Sequence, residues 1–420
     1  HSSRTSTVIP YEVLEEAFGA NPPEIADLGH IPGKMKIIDG VLELSGAVTW
    51  KEAKAFCQAQ GFSIMTSPTE ELASVLAGLA PSCTGERCFG FGGMREQVLE
   101  IEYLDYRGEV QILSRERPLS AHPHFRDNAE LLEQYGEDYA PYEQFKNAPF
   151  PRFLKEIDLM IGTEGQLGVI TGAKLKLAAA TNVHYIFLFL RPWQEDFSQH
   201  LEVFERVQKY RSKIFACEMI DRNSLEYLSL EERPCQNQDL VFLEIDASQF
   251  ETVYQELLTT LSLPEESLVE IPMGKVRDLR MNVPRAIFEV NAKMGVTKKG
   301  TDVQVSPKQF EKLLHYYKSW SNSGVAYNLF GHFGDAHLHF NFMPTQTEEP
   351  QCQELLAQLY REVSAWGGSP FAEHGIGLLK QKFIKNYYGE NQKLMFGHLK
   401  EKMDPHNQFF PGGYMNAGKA

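Results

Sequence analysis

No stretch of this 420-residue chain approaches the eighteen or so consecutive apolar residues that a membrane-spanning helix needs, so no bilayer span is expected. Cysteine is sparse and scattered. Cys57, Cys83, Cys88, Cys217, Cys235 and Cys352 form no CxxC pair, which argues against a zinc ribbon or a disulfide framework and points to reduced thiols in a cytoplasmic compartment. Positive charge is also short. Against 41 Lys and Arg stand 56 Asp and Glu, a net charge of −15 that repels phosphate backbones and argues against a nucleic-acid partner. The first residues, His1-Ser2-Ser3-Arg4, contain neither an initiator methionine nor the apolar run of a signal peptide, so a trimmed or processed chain is expected. A GxGxxG turn opening a helix, the fingerprint of nicotinamide dinucleotide binding, is absent as well.

What remains is ordinary globular composition, 43% hydrophobic and 23% charged, at a length that calls for two domains. Val41 to Val48 alternates like a half-buried strand, and Thr49 then caps a helix over Trp50 to Gln60 that Gly61 ends. Val98 to Leu104 and Val110 to Leu113 flank Arg107-Gly108 as a hairpin. Residues 114 to 155 are polar, weakly periodic and rich in Pro and aromatics, and read as a long loop. From about residue 180 the pattern becomes strand (184–191), helix (197–210), strand (213–219), strand (240–245), helix (249–261) and strand (267–271). A helix over 307–321, two strands around 327–342 and a helix over 350–366 follow. Such repeated units on one sheet suggest an α+β domain of ferredoxin-like type.

Four constellations stand out. Gly331 to Asn341 places His332, His337 and His339 within eight residues, and Ala372 to Gly377 adds Glu373 beside His374, in a chain with only 13 histidines. Imidazole and carboxylate hold divalent metals and move protons near neutral pH. On a strand, His337 and His339 point the same way, and His332 would meet His339 across a hairpin turning at Gly334-Asp335. Any one of these histidines is more often a satisfied structural residue, but burying the whole set without a task is costly. Gly162, Gly165 and Gly168 sit at spacing three in IGTEGQLGVIT (161–171), just before a strand, where backbone can approach a ligand. Ser82-Cys83-Thr84-Gly85 and Gly92 offer small residues and free N–H groups of the kind that cradle a pyrophosphate, or a plain tight loop. Arg277 and Arg280 would share a helix face ahead of Arg285, Lys298, Lys299 and Asp302, and guanidinium grips carboxylate bidentately.

Taken together these segments resemble the FAD-linked oxidases of the vanillyl-alcohol oxidase superfamily, in the branch of the D-2-hydroxy-acid dehydrogenases (D-lactate, glycolate, D-2-hydroxyglutarate). IGTEGQLGVIT is similar to that family's IGSEGTLGIIT, GHFGDAHLHFN (331–341) to GHxGDGNxHxN, and AEHGIGLLK (372–380) to AEHGIGxxK, with Lys146-Asn147 similar to the family's KN. The resemblance covers nearly the whole chain. It implies an α+β fold with a two-part FAD-binding domain of the vanillyl-alcohol oxidase type over 1–178, truncated in its N-terminal part, and completed by 367–420. A ferredoxin-like α+β substrate (cap) domain over 179–366 would lie between. It implies FAD against Ser82, Cys83, Thr84, Gly85, Gly92, Gly162, Glu164, Gly165, Gly168 and Val169. A divalent metal, Zn or similar, would be held by His332, His339 and Glu373. His374 would act as general base, Asn341 would lie nearby, and Arg280 and Lys298 would bind the substrate carboxylate. The implied reaction oxidises a small D-2-hydroxy carboxylate to the 2-oxo acid, with an electron acceptor other than NAD and a homodimer as one assembly.

Four departures accompany the likeness. Leu76-Ala77 replaces the usual Gly-Gly before the small-residue loop, and His337 stands where the family has Asn. The Asp-Pro…Asn-Pro-Gly element reads Asp404-Pro405-His406-Asn407-Gln408-Phe409-Phe410-Pro411-Gly412, and His1-Ser2-Ser3 resemble the tail of a GGGHS-type phosphate turn. Two alternatives stay open: an alkyl-transferring enzyme like the ether-lipid synthases, and a flavin-free descendant acting as a binding module.

Overall fold

The computed structural model describes Phe18, residues 23–384 and residues 387–419. The phosphate-turn likeness of His1–Ser3 lies outside the described residues. The chain divides into two compact units, the first comprising the chain up to Gly85, Gly92–Ala180 and the segment from Phe371 onward, the second Glu86–Phe91 and Thr181–Pro370.

The first unit contains β1 (Lys34–Ile38), β2 (Val41–Ser45), β3 (Phe62–Ser63), β4 (Val98–Leu104), β5 (Val110–Ser114), β6 (Val169–Lys176) and β7 (Ala178–Ala179). Five of them form an antiparallel sheet in the order β1-β2-β6-β4-β5, with β3 and β7 paired separately. The alternation of β2 buries Leu42 and Leu44, as its period of two requires. After it, helix Trp50–Gln58 starts in a capping box: the Glu52 N–H donates to Thr49 Oγ1 at 3.2 Å, and the Thr49 N–H to the Glu52 carboxylate at 2.9 Å. The stretch read as a loop over 114–155 instead contains helix Ala129–Tyr139. Its buried face is made of Tyr135 and Tyr139, packed on Phe150 and Phe153, and the Tyr135 hydroxyl donates to Pro151 O at 2.7 Å. Tyrosines with a polar tip make a weak apolar period, which is why the pattern hid this helix.

In the second unit, β8 (Val183–Leu190), β9 (Ile214–Ile220), β10 (Asp239–Asp246), β11 (Leu268–Ile271), β12 (Lys299–Gly300), β13 (Tyr327–His332) and β14 (His337–Phe342) form one antiparallel sheet ordered β11-β8-β10-β9-β13-β14-β12. Helix Ser198–Lys209 joins β8 to β9, and helix Phe250–Thr260 joins β10 to β11. In this βαββαβ run the fourth strand lies beside the first and the third between first and second, the ferredoxin-like order expected for an α+β domain. On one sheet face, Tyr317 and Trp320 of helix Phe310–Ser321 pack on Phe340 and Phe342. On the other, helix Met273–Met294 lays Val276, Leu279, Val283 and Ile287 on Tyr185, Phe187, Phe242 and Ile220. No described helix is long and apolar enough to cross a membrane. Substituting Thr49→Ala removes half of the capping box and should lower unfolding free energy in urea by about 1 kcal/mol; an unchanged midpoint would mean the helix start is held by other contacts.

Candidate active site

Hairpin β13–β14 sets His332 opposite His337 and Phe330 opposite His339. Directly opposed residues share a face, so the three imidazoles and Asn341 stand together, on the side away from Phe340 and Phe342. Phe333–Asp335 form the turn, closed by Ala336 in the left-handed region at φ 52°. Gly331, at φ 136°, leaves room for the His339 ring, since a Cβ there would come within 2.9 Å of its Cδ2. Two of the rings meet a fixed acceptor. His332 Nδ1 lies 2.8 Å from Glu218 Oε1 on β9, and His339 Nδ1 lies 3.1 Å from the carbonyl of Thr301. A carbonyl can only accept, and a carboxylate oxygen accepts from an imidazole N–H, so both rings donate through Nδ1, which makes Nε2 the nitrogen that could bind a ligand. Ring nitrogens of His332 and His339 lie within 4.8 Å of one another, close enough to be drawn onto one ion.

His337 is fully buried, its ring centroid 4.7 Å from that of His339 and its Nε2 3.5 Å from Asp302 Oδ1. Asn341 donates to Asn328 Oδ1 at 2.9 Å and to His339 O at 3.2 Å, and its amide oxygen presses against Gly300 so closely that a side chain there would collide. Lys298 precedes β12 with its Cε 3.9 Å from where a Gly300 Cβ would stand, on the Asn341 side of the sheet. Arg280 lies on helix Met273–Met294 and is ion-paired with Glu86. Sequence reading found neither Glu218 nor Glu86; Glu218 is 114 residues from His332, with no local pattern to mark it.

In the first unit, the Gly-rich turn and the Glu373-His374 bend are bound together. Gly162 and Gly165 have φ of 82° and 72°, and Glu164 between them is also left-handed at 55°. The Glu164 carboxylate accepts the N–H groups of Ile376 and Gly377, the latter at 2.9 Å. Burial pushes its pKa up, and those two amides pull against the shift. Asn147 donates to both Ser82 O at 3.0 Å and Ala372 O at 3.1 Å, tying the small-residue loop to the same bend. A cavity in this unit is lined by Arg95, Tyr139, Asn147, Gly162, Glu164, Gly375 and Tyr414 among others, and Tyr414 donates to Gly162 O at 2.9 Å. Arg95 and Arg152 beside it share the buried Asp158. Gly168 and Gly85 have packing reasons of their own: Gly168 abuts Tyr103 and Leu104 O, and Gly85 the Ser67 carbonyl. Cys83 and Thr84 follow Ser82 in that loop, Gly92 has φ 79°, and Val169 opens β6.

The class of protein follows from comparison with known families. Residues 194–414 match FAD linked oxidases, C-terminal domain, and the chain belongs to that family. The likeness read from the motifs to this group, in its D-2-hydroxy-acid dehydrogenase branch, therefore holds. The chain is 26% identical over 266 residues to a mitochondrial D-2-hydroxyglutarate dehydrogenase of Danio rerio, covering 59% of this chain and 48% of that protein. It is 22% identical over 388 residues to a mitochondrial D-lactate dehydrogenase [cytochrome] of Kluyveromyces lactis, covering 86% and 60%. A D-lactate dehydrogenase of Anaerostipes hadrus is 22% identical over 394 residues, covering 89% and 75%. The chain thus spans between about half and three-fifths of the length of the first two relatives. Among solved structures, alkyldihydroxyacetonephosphate synthase superposes with a TM-score of 0.61 at 14% identity, covering 90% of this chain and 65% of that one, a likeness of fold.

Replacing Glu164→Ala strands the Ile376 and Gly377 amides. At about 1–3 kcal/mol for each buried group left unpaired, the first unit should lose roughly 2 kcal/mol or more in denaturant unfolding, and Glu164→Gln less. Equal stability for all three proteins would contradict the link.

Proposed function

We propose that this chain is the FAD-dependent, metal-assisted part of an oxidoreductase that converts a small D-2-hydroxy carboxylate to the 2-oxo acid. The observation that carries the reading is the pair of anchored imidazoles: with Nδ1 of His332 on Glu218 and Nδ1 of His339 on the Thr301 carbonyl, both rings offer Nε2 as a ligand nitrogen. That donor set fits a divalent metal such as Zn, with Glu373 as the carboxylate ligand. For FAD, the fit rests on the left-handed turn at Gly162–Gly165: a Cβ on Gly165 would meet nothing nearer than 4.0 Å, so the backbone there is open to close approach. The names of the relatives, D-2-hydroxyglutarate and D-lactate dehydrogenases, support the substrate class.

When bound, FAD would supply hydride acceptance and the metal Lewis acidity. The chain's own residues do the rest. His374 takes the hydroxyl proton on a ring nitrogen. Lys298 and Arg280 are the cations on the substrate side, and Asn341, fixed by Asn328, keeps its amide oxygen toward Gly300. Cys57, Cys217, Cys235 and Cys352 are unoxidised thiols, which supports a reducing compartment such as the cytoplasm.

The test is an anaerobic screen of the FAD-reconstituted protein against D- and L-2-hydroxy acids, reading the yellow absorbance of oxidised flavin. D-acids should bleach it, and the bleaching rate should fall at least about a hundredfold in His374→Ala and after chelation, within the range a general base contributes. Colourless protein that cannot take up FAD, or bleaching that survives both treatments, would reject the reading.

A further inference from the structure

Arg280 already has a carboxylate. Within the second unit Glu86 and Arg280 form an ion pair whose side chains are 10% and 24% exposed. Glu86 heads a short segment held to this unit at several points. Arg87 Nε donates to the buried Glu244 at 3.0 Å, and Phe91 packs at a tilt against Phe215 with centroids 4.7 Å apart. Arg211 lies 4.6 Å over the Phe89 ring, and Gly90 fits so tightly that a Cβ would stand 2.7 Å from Ile214 O. Arg280 is fixed from the other side, because its helix buries Val276, Leu279, Val283 and Ile287 against the sheet. Packed structure thus holds the backbone on both sides of the pair.

We propose that Glu86 is a specificity-determining residue that neutralises Arg280 and so selects monocarboxylates over dicarboxylates. The inference rests on the assignment above of Arg280 and Lys298 to the substrate side. Of those two cations, the pair leaves one net positive charge, which a single substrate carboxylate balances. A second carboxylate meets a guanidinium already engaged and the Glu86 charge beside it, in a partly buried setting where like charges repel strongly.

Calorimetric titration of the full chain with butyrate and glutarate tests this, since neither ligand has a hydroxyl to oxidise. Wild type should bind glutarate no tighter than butyrate. Glu86→Gln, and Glu86→Ala as a second charge-removing variant, should bind glutarate at least about tenfold tighter than wild type while butyrate changes less than about threefold. Glu86→Asp should behave as wild type. Unchanged, weakened or absent glutarate binding in both charge-removing variants overturns the proposal. Because the readout is binding alone, a gain in glutarate affinity without flavin reduction by any 2-hydroxy acid would reject the oxidoreductase reading and leave this one standing.

Discussion

Two hydrogen bonds, from His332 Nδ1 to Glu218 and from His339 Nδ1 to the Thr301 carbonyl, fix what the rest of the second unit can do. A buried imidazole without an acceptor is costly, and one with the wrong acceptor presents the wrong nitrogen. The sheet supplies both acceptors from neighbouring strands or their flanks, which requires β9 beside β13 and β12 beside β14 in register. The ferredoxin-like core is therefore the frame that brings Glu218 to the hairpin, and its apolar faces take up the packing that keeps that frame in place.

The two faces of that sheet divide the work. One is filled by Phe340, Phe342 and the rings of helix Phe310–Ser321. The other is apolar only where helix Met273–Met294 covers it, and along β9, β13 and β14 it turns to Glu218, His332, His339 and Asn341. In the first unit the same economy of contacts recurs. One glutamate and one asparagine, Glu164 and Asn147, hold the Gly-rich turn, the Ser82 loop and the Glu373 bend to each other.

Much of this was legible in the sequence where the signal is local. The Thr49 cap, the alternation at Leu42 and Leu44, the strand–helix rhythm after residue 180 and the imidazole hairpin all follow from periods of two or 3.6 and from turn residues. Helix Ala129–Tyr139 was not, because its buried face is tyrosine, whose burial depends on Phe150 and Phe153 and on the Pro151 carbonyl. Glu218, Glu86 and the Asp302 contact of His337 were not legible as partners either, since each acts on a residue distant in sequence through strand register or helix packing. His337, unexplained by the family likeness, stands as a buried ring braced between Asp302 and His339.

In the proposed metal site His332 and His339, not His337, present the ligand nitrogens. Titrating the full chain with Co²⁺ and following its ligand-field absorption tests this most directly. One equivalent should bind, with binding lost or weakened at least about tenfold in His332→Ala, in His339→Ala and in Glu218→Gln, the effect expected when a ligand or its hydrogen-bond partner is removed, and retained in His337→Asn. Binding that survives both ligand substitutions, or that disappears only with His337, would contradict it.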